Sequence, residues 1–265
     1  MKDILGEIVL NKKREVAAQK ELQSLSAIEK ELLQKIDSIK FRSLKEALAS
    51  SDTGIIAEFK RRSPSKGWLH QDADVKAVTK SYEQAGASAL SVLTDENYFG
   101  GTLEDLKNAV QNVDIPVMRK EFIVDEYQIY QAKLSGASAI LLIAAAITKD
   151  ESDRFTKLAK ELQLDVLLEL HDESEIDYIT PLNTLVGINN RNLGSFVTDL
   201  QKSFRMAELL PKESLWVSES GISNAKTVKE LREAGYRGFL IGEYFMKSGN
   251  PKESLSDFIQ GIVND

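Results

Sequence analysis

The chain contains no cysteine, which excludes disulfides, thiolate metal ligands and a thiol nucleophile. Histidine is nearly as scarce: His70 and His171 are the only two in 265 residues, too few for a multi-histidine metal site. Positive charge is short as well, 34 Lys and Arg against 41 Asp and Glu, and the net charge of −7 argues against nucleic acid or an acidic membrane as a partner. No apolar run approaches the roughly 20 residues needed to cross a bilayer, and residues 1–7 lack the apolar core of a signal peptide. Low-complexity segments and Pro- or Gly-rich linkers are missing too. Together these absences lead us to expect a soluble cytoplasmic protein, one large domain with 42% hydrophobic residues to build its core.

What is present falls into two parts. Residues 1–51 have helical spacing (Ile4, Leu5, Ile8 and Val9, then Leu32, Leu33 and Ile36), and Ser43 to Glu46 reads as a capping box opening another short helix. This is a helical extension to a main domain spanning 52–265. From Ile55 onward one unit recurs at intervals of roughly 25 residues, apolar strand, loop, amphipathic helix, loop. The strands are expected at Ile55–Lys60, Ala89–Thr94, Pro116–Phe122, Ala139–Ala145, Asp165–His171, Leu185–Arg191, Leu215–Gly221 and Gly238–Ile241. Helix starts are marked at Thr102–Asp105, Thr148–Glu151, Asp172–Glu175 and Asn250–Glu253, and glycines 86, 136 and 235 close helices just before a strand. Strands alternating with helices require parallel pairing and right-handed crossovers. Eight such units predict an α/β fold, a closed (β/α)8 barrel. A doubly wound sheet would want a Gly-x-Gly-x-x-Gly turn after its first strand, and none is found.

In such a barrel the active site lies at the C-terminal strand ends. Those ends carry Glu58 and Lys60, Lys120, Glu169 and His171, Asn189 and Arg191, then Glu219, Ser220 and Gly221. Parity makes them converge, since Ile56, Glu58 and Lys60 share one strand face, as do Leu167, Glu169 and His171. A single charged residue at a strand end is commonly a structural ion pair. Five strands ending in ionisable or amide groups of complementary sign are harder to explain by packing. Glycines after the last two strands, Gly221 and Gly242, would let backbone N–H groups approach a phosphate. Glu243 weighs against that unless its side chain points away. Phe99-Gly100-Gly101, after the second strand, reads equally as a lid or a plain loop.

The motifs resemble those of the indole-3-glycerol-phosphate synthases of tryptophan biosynthesis. The likeness is carried by Ile-Ile-Ala-Glu-Phe-Lys-Arg-Arg-Ser-Pro-Ser-Lys-Gly (55–67), Leu-Thr-Asp-Glu-Asn-Tyr-Phe-Gly-Gly (93–101), Arg-Lys-Glu-Phe-Ile (119–123), Leu-Leu-Glu-Leu-His (167–171), Gly-Ile-Asn-Asn-Arg-Asn-Leu (187–193) and Ser-Glu-Ser-Gly-Ile (218–222). Six motifs in family order span essentially the whole chain, including the extension, which this family places over the catalytic face. Glu121 and Asn192 depart from the family's usual Asp; neither is assigned to chemistry.

The resemblance implies a cofactor-free reaction in which 1-(2-carboxyphenylamino)-1-deoxyribulose 5-phosphate closes to an indole with loss of CO2 and water. It implies Lys120 as the acid for ring closure and Lys60 as a second cation near the departing oxygen. Glu169 would be the general base, with Glu58 orienting the lysines. Ser63, Asn189 and Arg191 would hold the substrate, Glu219 would support the site, and Ser220, Gly221 and Gly242 would cradle the phosphate. We expect the lysine pKa values to be lowered by desolvation and neighbouring cations, as suits an acid. The expected partner is this small phosphorylated molecule, met by a monomer or by an assembly with other tryptophan-pathway enzymes. Rival readings are a barrel glycosidase, whose two carboxylates would stand about 5 Å apart, a catalytically silent phosphate-binding barrel, and a Schiff-base lyase using either lysine.

Overall fold

Apolar residues alternate along the strands in two sets, and the sets lie on opposite sides of one closed sheet. The computed structural model describes residues 4–264. Its barrel strands are β1 (Ile55–Phe59), β2 (Ala89–Leu93), β3 (Val117–Lys120), β4 (Ala139–Ile143), β5 (Asp165–Leu170), β6 (Leu185–Asn189), β7 (Leu215–Glu219) and β8 (Gly238–Ile241). Each pairs in parallel with its neighbours in sequence, and β8 closes on β1 through Ile55↔Phe239, Ile56↔Leu240 and Ala57↔Ile241. Along β1, Ile55, Ala57 and Phe59 join the layer between sheet and helices, while Ile56 packs with Met118, Leu141, Leu167 and Val217 inside the barrel. The (β/α)8 architecture read from the repeat is the one observed.

The N-terminal segment forms α1 (Ile4–Leu22), α2 (Leu25–Lys35) and α3 (Leu44–Ala49); residues 1–3 of the predicted extension lie outside the described residues. These helices go to different ends of the barrel. Leu44 and Leu48 of α3 are fully buried in the interior cluster, each stabilising the fold by about 1.5–3 kcal/mol. Asp165, the first residue of β5, accepts from Ser43 Oγ (2.8 Å) and from the Lys45 N–H (3.0 Å), so α3 plugs the N-terminal end. Ile8 of α1 joins the same interior cluster together with Phe122, beyond the end of β3. Val16, Ile28 and Tyr127 form a separate small core, in which α1 and α2 pack on the helix Glu126–Leu134.

Local signals hold well at helix starts. Thr102 and Thr148 close full capping boxes with Asp105 and Glu151, and Pro251 opens the last helix. The fifth crossover departs from expectation. It is a 3-10 helix, Glu173–Tyr178, because the Glu175 carboxylate turns back to the His171 N–H (2.6 Å) and leaves the box at Asp172 unclosed. Several strands also stop one or two residues before their expected ends, as at Phe59, Lys120, Asn189 and Glu219. There the chains leave the hydrogen-bond ladder and turn into the mouth. The loop after β1 contains a small antiparallel hairpin, Ser63↔Gly67 and Arg62↔Trp68, that the sequence did not announce.

Candidate active site

At the mouth of the barrel lies a cavity of about 600 Å³. Glu58, Lys60, Ser63, Lys120, Glu169, Asn189, Arg191, Glu219, Ser220, Gly221 and Gly242 all line it. Every residue given a role by the resemblance is therefore brought to one space. His171 is close by but not in the lining: its Nε2 is 3.1 Å from Glu169 Oε1, behind the cavity wall.

The polar floor is built from paired charges. Lys60 Nζ donates to Glu58 Oε1 (2.6 Å), and Ser91 Oγ donates to Glu58 Oε2 (3.4 Å). Lys120 stands between two carboxylates, donating to Glu169 Oε2 (3.2 Å) and, by a short contact, to Glu219 Oε2. Glycine at 187 makes the second contact possible, since a Cβ there would overlap Glu219 Oε1. Burial alone would lower the Lys120 pKa, but Glu219, Glu169 and Glu58 outweigh it and hold the ammonium well above its ordinary value. This reverses the lowered lysine pKa expected from sequence. The neighbours of Lys120 are anions, and strand-end parity does not say which signs will meet. Burial pushes the Glu219 carboxyl up, aided by Glu169 and opposed by Lys120. Burial also opposes ionisation of Glu169, yet Lys120 and His171 hold it below the usual carboxylate range. Of the two carboxyls beside this one ammonium, Glu169 is thus favoured in its ionised form and Glu219 is favoured to keep a proton.

A second end of the cavity is suited to an anion. Ser220 and Gly221 both have left-handed backbones, φ +69° and +81°, which costs roughly 1–3 kcal/mol at a non-glycine residue. The turn is held by Asn190, buried behind it, whose amide donates to Ser218 Oγ (3.1 Å) and to the carbonyls of Glu219 (3.0 Å) and Ser220 (3.1 Å). Its Oδ1 accepts from the Ser203 N–H and Oγ, so the side chain is fully used. Arg191 reaches across to Ser65 Oγ (2.9 Å) and Glu243 Oε2 (3.0 Å). Glu243 does not point away, but it is matched by two cations, Arg191 and Lys247, so the objection raised by its charge is met. Gly242 has its own reason to be glycine: a Cβ there would lie 2.6 Å from Glu58 Oε1. Ser63 Oγ and Arg191 Nε are buried without a protein partner, a pattern expected where a ligand supplies one.

The remaining wall is apolar. Leu93, Phe99, Phe122, Leu141 and Ile143 contribute to it, the two phenyl rings 6.0 Å apart, and α1 adds Ile4, Leu5 and Ile8. Phe99 ends a helical turn, Glu96–Phe99, closed by left-handed Gly100, whose carbonyl accepts from Arg61 Nη1 (3.2 Å). The ambiguous loop after the second strand is thus tied to the loop after the first. Sequence reasoning missed this wall, along with Asn190 and the role of Gly187. It also missed Lys12, a buried lysine on α1.

A (β/α)8 barrel whose mouth combines buried lysine–carboxylate pairs, a left-handed turn and an apolar wall has the build of a barrel enzyme for a small molecule. The profile described as indole-3-glycerol phosphate synthase matches residues 5–258, and the chain belongs to that family, carboxy-lyases of tryptophan biosynthesis. An indole-3-glycerol phosphate synthase of Bacteroides thetaiotaomicron is 54% identical over 262 residues, covering 99% of this chain and 100% of the relative. Those of Neisseria meningitidis serogroup B and Clostridium kluyveri are 44% and 40% identical, covering 94% and 98% of this chain and 96% and 98% of their own lengths. Among solved structures, a tryptophan synthase complex of Pyrococcus furiosus is similar in fold, with a TM-score of 0.58 at 12% identity over 80% of this chain and 98% of that one.

Proposed function

We propose that this cavity converts 1-(2-carboxyphenylamino)-1-deoxyribulose 5-phosphate to indole-3-glycerol phosphate. The observation that carries the reading is Lys120, held between Glu169 and Glu219 with an apolar wall on one side and an anion-holding turn on the other. In this reading the carboxyphenyl ring lies along Ile8, Phe99 and Phe122, and the phosphate meets Ser220, Gly221 and Arg191. Asn189 and Ser63 hold the chain between them.

Ring closure joins the aromatic carbon bearing the carboxylate to the ketone carbon. Electrons move onto the ketone oxygen, which takes a proton from Lys120. Because its carboxylate neighbours keep Lys120 charged, it serves first as an oriented cation and gives its proton as the oxygen becomes strongly basic. Loss of CO2 restores the aromatic ring. The hydroxyl then leaves as water with a proton supplied from the Lys60 side, while Glu169, held ionised, removes the proton whose loss forms the indole double bond. Glu58 fixes Lys60, and Glu219 fixes Lys120. Each step is redox-neutral and calls for no cofactor.

The chain acts as a cytoplasmic monomer, residues 52–265 forming the catalytic barrel and 1–51 its extension; among the described residues no helix is long and apolar enough to cross a membrane. A retaining glycosidase is disfavoured because a lysine occupies the space between the two candidate carboxylates. The test is turnover of the substrate followed by the absorbance and fluorescence of the indole product. Absence of indole formation by the folded protein would sink the reading.

A further inference from the structure

Helix α1 presents one stripe to the barrel, Ile4, Ile8, Lys12 and Val16, spaced by four residues. Three members are apolar, as a docking stripe should be. The fourth is a lysine that is only 4% exposed. Its ammonium lies 2.7 Å from Glu15 Oε2, 2.9 Å from Asp95 Oδ2 and 3.2 Å from Glu121 Oε1. Asp95 begins the Glu96–Phe99 turn after β2, where it caps the Tyr98 N–H (2.7 Å). Glu121 follows β3, one residue from Lys120, and its carboxylate is fixed by Thr94 Oγ1 (2.7 Å) and the Phe122 N–H (2.8 Å). The socket is therefore made by the two loops that carry Phe99 and Phe122 into the cavity.

We propose that Lys12 is a positioning residue that sets the register of α1 on the barrel mouth, and thereby decides which side chains of the extension cover the substrate. The physical case turns on what a buried ion cluster is good for. Replacing such a cluster by apolar residues of similar size commonly leaves stability unchanged or improves it, so adhesion of α1 does not require a lysine here. Apolar stripes, however, tolerate sliding, and a single buried polar residue is the best-attested device for fixing helix register. A slip of one residue rotates a helix by about 100° and moves it about 1.5 Å. Such a slip would take Ile4 and Ile8 off the cavity wall they now line. With Lys12 in its socket, one and two turns of helix place those residues over the apolar part of the site.

This inference rests on the cavity holding the substrate as proposed above. The test replaces Lys12→Met, and also pairs it with Asp95→Asn in a Lys12→Met, Asp95→Asn variant; Glu121 keeps Arg119 (3.6 Å) and Glu15 is partly exposed, so that a folding defect from stranded carboxylates does not decide the matter. In whichever variant is folded, KM should rise by about tenfold or more, the loss of one well-packed aliphatic cover on a ligand. Chemistry in a single turnover should stay within about threefold, since no reacting group has moved. Amide exchange in α1 of the free protein should quicken while β1–β8 stay protected. Lys20→Met, which removes the half-buried ion pair with Asp125 (2.6 Å) farther along α1 and away from the cavity, should keep the wild-type KM. A lower melting temperature with unchanged KM, or an equal rise of KM in Lys20→Met, would overturn the register role. Exchange needs no substrate, so unchanged exchange in α1 counts against Lys12 alone. Full activity in Lys120→Met, run alongside, would count against the site itself.

Discussion

Glu219 occupies the space that any side chain at position 187 would need. The two residues face each other across neighbouring strands, paired as Gly187↔Val217 and Asn189↔Glu219, and an added Cβ at 187 would also lie 3.2 Å from Leu167 Cδ1. Gly187→Ala should therefore push the carboxylate out of line with Lys120. We expect a loss of about 1–3 kcal/mol in stability, the usual cost of overpacking, and a fall in kcat of roughly tenfold to a hundredfold as the acid loses its orientation. Melting temperature and steady-state kinetics check both. Normal kcat in the folded variant would mean that Glu219 does not orient Lys120.

Lys120→Ala tests the acid role proposed for this residue. The expected loss in turnover is about 10²–10⁴-fold, the span of general acid–base groups, with KM changed far less. Borohydride added with substrate should leave the mass of the wild-type protein unchanged. A reduced adduct on Lys120 or Lys60 would instead reveal a Schiff base.

The fold and the lining of the cavity were legible because both follow from strand periodicity. Glu58 sits on the same face as Ile56, and that alternation, repeated on β5, β6 and β7, brings the polar ends into one space. What escaped depends on contacts between segments distant in sequence. Lys12 meets Asp95 and Glu121 across more than eighty residues, and nothing local marks it except an ion in an otherwise apolar stripe. Asn190, one residue beyond the end of β6 and adjacent to the predicted Asn189, turns away from the cavity and acts on the next loop. The sign of the Lys120 pKa shift was misjudged for the same reason, because strand ends give the residues at the mouth but not their pairing.

The Lys120 cluster also gives pH dependence a sign. Glu219 has a folded-state pKa raised to about 8, against about 4.3 in an unfolded chain. Its contribution to stability is complete below the unfolded value and is lost as pH rises through the folded one. Wild-type melting temperature should thus fall as pH rises from about 5 to about 8, the interval between the unfolded and folded values, and Glu219→Gln should flatten that slope. The same variant removes one anion from Lys120, so the basic limb of kcat should move to lower pH. A slope and a basic limb both unchanged in Glu219→Gln would separate Glu219 from Lys120 electrostatically.

The anion-holding turn calls for a probe that does not touch the turn itself. Gly221→Val is unsuitable, because its φ of +81° disfavours any side chain and a Cβ would overlap the Thr198 methyl group. Asn190→Asp acts from behind. It exchanges an amide that donates to Ser218 Oγ, Glu219 O and Ser220 O for a carboxylate that repels the two carbonyls. The left-handed conformation of Ser220 then loses its support, and the backbone N–H groups of the turn lose their aim. Inhibition by inorganic phosphate should weaken by roughly tenfold to a hundredfold, the worth of one or two charge-assisted hydrogen bonds. KM for the phosphorylated substrate should rise in parallel, while turnover of a dephosphorylated analogue stays near its wild-type rate. If phosphorylated and dephosphorylated substrates suffered equally, the turn would be a structural corner and the phosphate would be held elsewhere.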